Sequence, residues 1–101
     1  MECYFEWDDH KARLNLRKHG VRMEEAALVF DDPLAVSEQD RIDEGEFRWR
    51  TVGLVSDCVL LVVAHTWRLD AEGNDVIRII SARRANRKER KLHEQGQTQA
   101  R

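Results

Sequence analysis

A chain of 101 residues and 11.9 kDa has room for one domain and one hydrophobic core, burying roughly two-thirds of its unfolded surface, and no room for two. Its 42% hydrophobic and 36% charged content, with one proline and five glycines, excludes a low-complexity chain, and its longest apolar run, VLLVVA from Val59 to Ala64, is far short of the roughly 20 residues of a membrane-spanning helix. The formal charge of −2 hides a split, because residues 1–77 carry 9 basic and 17 acidic side chains and residues 78–101 carry 8 basic and 2 acidic.

Residues Cys3 to Trp7 alternate polar and apolar, with aromatics at Phe5 and Trp7, which predicts a short strand whose odd positions face the core. Asp8 or Asp9 then caps a helix, its carboxylate accepting from the free N–H groups of the first turn. Gly20 ends that helix, since glycine reaches the left-handed conformation without a side-chain penalty. From Val21 to Phe30, Met23, Ala26, Ala27 and Phe30 recur at helical spacing and predict a second helix, broken by Asp31-Asp32-Pro33. The acidic stretch from Ser37 to Glu46 reads as a strand end followed by an exposed loop or turn. Three strand-like runs follow, from Phe47, Cys58 and Val76, with Ser56-Asp57 and LDAEGND as hairpin connections. A highly charged helix over Asn86 to Glu94 closes the chain, and GQTQAR after it is expected to fray. The pattern is α+β, an antiparallel sheet with two N-terminal helices and one C-terminal helix in the order β-α-α-β-β-β-β-α, as a single domain over residues 1–95 with a frayed tail over 96–101.

On a helical wheel Lys11, Asn15 and Lys18 share one side of the first helix, with Ala12, Leu16 and His19 on the adjoining stripe. Two ammonium groups on one face repel mildly, an arrangement that makes sense if a phosphate lies across them. His19 continues the apolar stripe and also stands where it can satisfy carbonyl groups at the helix end; histidine ordinarily titrates near pH 6.5, which suits it to proton exchange. A second cationic group lies in HTWR, 65–68, and in RIISARRANRKER, 78–90. Arg78 and Arg83 are an odd distance apart and point opposite ways on an unbroken strand. Pairing Thr66 with Arg78 puts Arg68 and Arg78 on one face, whereas a one-residue shift or a bulge favours Arg83. Arginine binds phosphate through paired donors and stays charged at any cellular pH, so arginine on a sheet facing lysines on a helix suits RNA, with Arg84 and Arg87 extending the track.

Other signatures are missing: GxSxG, a P-loop, HExxH, CxxC and a Gly-rich dinucleotide turn. His10, His19, His65 and His93 form no ligand grouping with Cys3 or Cys58, so catalysis is expected without metal or cofactor. Nothing in the sequence directs the chain out of the cytoplasm, where both cysteines are expected as reduced thiols.

FEWDDHKARLNLRKHGV, AALVFDDP, LLVVAHTWR and RIISARRANRKER together resemble the BrnT-type toxin family in order and spacing. The resemblance rests on Trp7-Asp8, Lys11, Asn15, Lys18-His19-Gly20, Phe30, Asp32-Pro33, Thr66, Arg68, the segment from Ile79 to Arg83, Ala85 and Glu89-Arg90. It implies a RelE-like endoribonuclease, the toxin of a type II toxin–antitoxin system, that inhibits translation and is neutralised by a ribbon-helix-helix antitoxin in a hetero-oligomer. Operator DNA is then bound only through the antitoxin. Carried over residue by residue, the catalytic positions are Lys11, Lys18, His19, Arg68 and Arg83, with Arg78 added as an RNA contact; Asn15, on the lysine stripe, and Arg84 and Arg87, along the cationic track, are the other expected RNA contacts. The chain departs from the family in having Met23 for a common phenylalanine and His93 for a tyrosine. Metal-free cleavage has the ribose 2′-hydroxyl attack its own phosphate while cations stabilise the developing charge. The rival expectation is a binding module without turnover, whose basic face holds an acidic partner or nucleic acid.

Overall fold

The computed structural model describes residues 2–56 and 58–99, the side chains of 96–99 excepted. The elements are β1 (Cys3–Glu6), α1 (Asp9–His19), α2 (Met23–Ala27) running into a 3-10 turn (Leu28–Asp31), β2 (Val36–Asp43), β3 (Glu46–Ser56), β4 (Val59–His65), β5 (Arg68–Leu69), β6 (Asp75–Arg84) and α3 (Arg87–Gln99). The α+β class and the three helices are as expected. The strands form a 6-stranded sheet in the order β1-β6-β4-β3-β2, with β5 off this path against β6.

Three features differ from the sequence reading. β1 pairs parallel to β6, Phe5 opposite Ile77, so the sheet is mixed. The segment from Ser37 to Glu46 is a full strand with a two-residue turn: Glu44 and Gly45 both have positive φ, 51° and 80°, the geometry of a type I′ hairpin. Its polar composition on both faces hid its length beyond the expected strand end, because a mostly exposed edge strand shows no alternation to read. Finally, α3 continues past Glu94 to Gln99, and the last two residues of the expected tail, 100 and 101, lie outside the described residues.

A core forms on each face of the sheet. On one, Leu61, Val63, Ile77, Ile79 and Ala82 pack against Met23, Ala26 and Val29 of α2 and the 3-10 turn. Gly53 permits that contact: a Cβ there would lie 2.7 Å from Val29 Cγ1 and 2.9 Å from Val29 O. On the other, Val52, Leu60 and Val62 pack against Ala85 and Leu92 below α3.

The placement of the basic residues turns on one irregularity. β4 pairs Ala64 with Ser81 but His65 with Ile79, leaving Ile80 as the extra residue of a bulge. Ile77, Ile79 and Ala82 therefore all reach the same core despite the odd step between the last two. Arg78, Ser81 and Arg83 consequently share the opposite face, which an unbroken strand forbids.

Candidate functional site

Helix α1 carries the first group. Asp8 Oδ1 accepts from the Lys11 N–H at 2.9 Å, and that bond holds the Asp8 carboxylate below its ordinary pKa. At the other end Gly20, at φ 70°, donates its N–H to Leu16 O at 2.8 Å, with Arg17, Lys18 and His19 in the last turn where the dipole favours cations. Lys11 and Lys18 are exposed and His19 is half-buried. Together with Leu14 and Asn15 they line an open cavity of about 280 Å³ whose far wall is Ile80 and Ser81, at the bulge of β6. Leu16, expected on the packed stripe, is 42% exposed; the buried anchor of the helix is Asn15.

Asn15 is thereby removed from the expected RNA contacts. Its Nδ2 donates to Val21 O and to Ala82 O, both at 2.9 Å, and its Oδ1 accepts from the Ala82 N–H at 3.0 Å. The amide clips α1 to β6 beyond the end of the β1 pairing, with both of its protons already donated to backbone carbonyls and only 5% of the residue exposed at the cavity wall.

The arginines form a second group, each held by a carboxylate. Arg68 Nη1 donates to Glu6 at 2.9 Å and Arg78 Nη2 to Glu46 at 2.8 Å. Arg83 makes a paired contact to Glu89 through Nη1 at 2.8 Å and Nη2 at 2.7 Å. Glu89 also accepts from the Asn86 N–H while Asn86 Oδ1 accepts from the Glu89 N–H, a capping box that starts α3. The Arg83 bond pulls the Glu89 carboxyl below its usual range and raises the guanidinium in return. Arg84 and Arg87 are exposed, Arg84 standing opposite Leu61 on the other face from Arg83.

The expected cleft, lysines facing arginines, is thus not a single cavity. The lysines face Ile80-Ser81, while Arg83 lines a separate groove of about 570 Å³ under α3 with Arg50, Lys88 and Lys91. Ser81 joins the two regions, lining the α1 cavity while standing between Arg78 and Arg83 along β6.

A model of the family described as the ribonuclease toxin BrnT of type II toxin–antitoxin systems matches residues 7–89. The chain belongs to the BrnT toxin family. The crystal structure of the Brucella abortus ribonuclease toxin BrnT has the same fold: the match covers 86% of this chain and 100% of that one with a TM-score of 0.62, at 18% sequence identity. No curated protein matches the chain.

Several residues of this BrnT chain escaped the sequence reading. Arg48 and Arg50 alternate along β3 in FRWRTV and reach the face of Arg78 and Arg83; their i, i+2 spacing was the available signal. Glu89, three residues after Asn86, carries the capping-box spacing. His93 is buried in α3 and meets Asp32 Oδ2 at 2.9 Å, an ion-pair geometry linking residues 61 apart that no local pattern announces. His65 is fully buried: Nδ1 donates to Thr66 O at 3.0 Å, which leaves Nε2 to accept from the Thr51 hydroxyl at 2.7 Å. Burial lowers its pKa and keeps the ring neutral, packed edge-on against Phe30 at 4.9 Å. Among the described residues no three His, Cys, Asp or Glu side chains group as a metal-binding set.

Proposed function

We propose that this chain is an endoribonuclease toxin that cleaves RNA without a metal ion and is held inactive by a ribbon-helix-helix antitoxin. The observation that carries the proposal is the open cavity in which Lys11, Lys18 and His19 converge on the β6 bulge in a BrnT-family chain. Lys11 and Lys18 hold a phosphate there as point charges. His19 has one ring nitrogen that can take a proton while the other gives one, so it is the group in that cavity suited to move a proton between the attacking 2′-hydroxyl and the leaving oxygen. Charge that develops on the phosphorane oxygens calls for preorganised cations, and Arg68 and Arg83, with Arg78 beside them, take that role where the RNA crosses Ser81 from the α1 cavity toward the groove under α3. Exposed Arg84 and Arg87 continue the path for flanking phosphates.

Every sheet arginine in that set is paired with a glutamate, so an RNA phosphate competes with an intramolecular carboxylate for it. Binding is consequently weaker than the arginine count implies and strongly salt-dependent. Leu14 of α1, 46% exposed and lining the same cavity as the lysines, offers apolar area that a covering antitoxin buries. The resulting toxin–antitoxin hetero-oligomer acts in the cytoplasm, where it meets operator DNA through the antitoxin alone and the free toxin inhibits translation by cutting messenger RNA.

The test is cleavage of purified RNA in excess EDTA by the wild type and by a folded Lys11→Ala/Lys18→Ala variant. Cleavage by the wild type that disappears in the variant supports the metal-free site. Cleavage abolished by EDTA refutes metal independence, and RNA binding without product by either protein identifies a binding module.

A further inference from the structure

The face of the sheet that carries Arg78 and Arg83 has a second polar constellation, between β3 and β4. Trp49 pairs with His65, so the next residues across that antiparallel ladder are Arg48 and Thr66, both on the face turned away from the buried His65 ring. The Thr66 N–H donates to Arg78 O at 3.0 Å, which brings Arg78 into the same row. Two buried polar atoms in this row have no hydrogen-bond partner among the described residues: the Thr66 hydroxyl, in a residue 4% exposed, and Nη1 of Arg48. Neighbouring orphans of this kind are uncommon in native structures and point to a missing acceptor.

What stands there is Glu46, on the shoulder of the β2–β3 turn. Its Oε1 bonds Arg78 Nη2 at 2.8 Å but only approaches Arg48 Nη1, at 3.6 Å, while Asp43 Oδ2 lies 3.5 Å from Arg48 Nη2. One carboxylate oxygen thus serves two guanidinium groups and satisfies one. Glu46 is also the most exposed of these three charged side chains, 45% against 39% for Arg78 and 16% for Arg48.

We propose that Arg48, Thr66 and Arg78 form a phosphodiester-binding subsite for RNA, and that Glu46 is the internal anion an RNA phosphate displaces. The inference rests on the ribonuclease reading and deepens it. A carboxylate presents the lone pairs of its two oxygens in one plane, whereas each of the two non-bridging oxygens of a tetrahedral phosphodiester accepts from directions all around its P–O bond, so one oxygen meets each guanidinium group and one of them also accepts from the Thr66 hydroxyl. An acidic peptide merely repeats the geometry of Glu46 and leaves the same donors unmet. Arg50, two residues along β3 on the same face and about 6.8 Å from Arg48 by strand geometry, is spaced to take the next phosphate of an extended single strand.

The test uses a fluorescein-labelled, 2′-O-methylated single-stranded RNA, which is bound but not cut, and fluorescence anisotropy in EDTA over a range of salt. Glu46→Gln is expected to tighten binding about threefold to tenfold, whereas Arg48→Ala weakens it and reduces the slope of log K against log salt by about 0.7, one single-strand phosphate contact. Thr66→Val removes the orphan hydroxyl at nearly constant volume and is expected to weaken RNA binding several-fold while leaving the melting temperature unchanged or higher. A stability gain in Thr66→Val with unchanged RNA affinity overturns the proposal, as does a Glu46→Gln variant that binds like the wild type. Loss of affinity for poly-glutamate with RNA affinity retained refutes it in favour of an acidic protein partner. Wild-type protein that cuts RNA while all three variants bind RNA normally refutes only the subsite; wild-type protein that neither binds nor cuts RNA refutes the ribonuclease reading as well.

Discussion

Replacing Asn15 with alanine tests whether α1, and with it Lys11, Lys18 and His19, is held by a single buried amide. The substitution deletes the bonds to Val21 O, Ala82 O and Ala82 N–H, and all three are buried. Each is worth about 1 kcal/mol net, and stranded backbone groups add to the cost where water cannot reach them. The expected loss is therefore about 3 kcal/mol or more, set against a total of about 5–15 kcal/mol for a domain of this size. It corresponds to a fall in melting temperature of roughly 12–24 °C, at about 4–8 °C per kcal/mol. Asn15→Asp keeps an acceptor for the Ala82 N–H but turns lone pairs toward both carbonyls, and it is expected to be at least as damaging at pH 7. Urea denaturation followed by tryptophan fluorescence reads both values, with an unchanged m confirming that folded and unfolded compactness are unaltered. Losses below about 1 kcal/mol for both variants refute the assignment of Asn15 as the anchor.

Two further predictions concern the remainder of the fold. Gly53→Ala drives a methyl group into Val29 Cγ1 and the Val29 carbonyl, so it is expected to destabilise by about 1–3 kcal/mol in the same denaturation assay, and a Val29→Ala background relieves only the side-chain part of the clash. Burial raises the Asp32 carboxyl pKa, but hydrogen bonds from the Leu54 N–H, His93 and the Leu34 N–H outweigh it and leave the group below its ordinary value of 3.8. The folded state then binds fewer protons than the unfolded one, so this contribution is present above pH 3.8 and is lost as pH falls through the depressed folded value. Asp32→Asn is expected to cost about 1.5–3 kcal/mol at pH 7 and to flatten the acid limb of the stability curve; a variant whose acid limb matches the wild type refutes the role.

Much of this protein was legible locally. Asp8 and Gly20 bracket α1 because a carboxylate cap and a left-handed glycine act on their own immediate backbone, and the apolar runs of β3, β4 and β6 announce buried strands. Lys11, Lys18 and His19 fall into one cavity because helical spacing alone puts them on neighbouring stripes. Asn15 shares that stripe, yet its environment depends on Ala82, 67 residues away, and the same spacing that suggested a ligand contact describes a buried clip. β2 was legible only as a strand end, because an edge strand exposed on both faces needs no hydrophobic alternation to mark its length. The grouping of Arg78 with Arg83 was open for a related reason: strand parity separates them, and only the single extra residue at Ile80, required to fit β6 against β4, returns both to one face. Side-chain type and local periodicity are properties of the chain, so the sequence by itself determined the helices, most of the strands and which residues carry positive charge. Register and the partners of buried polar groups are properties of contacts between distant segments, so only the tertiary structure decided which cations share a surface and which carboxylates already hold them.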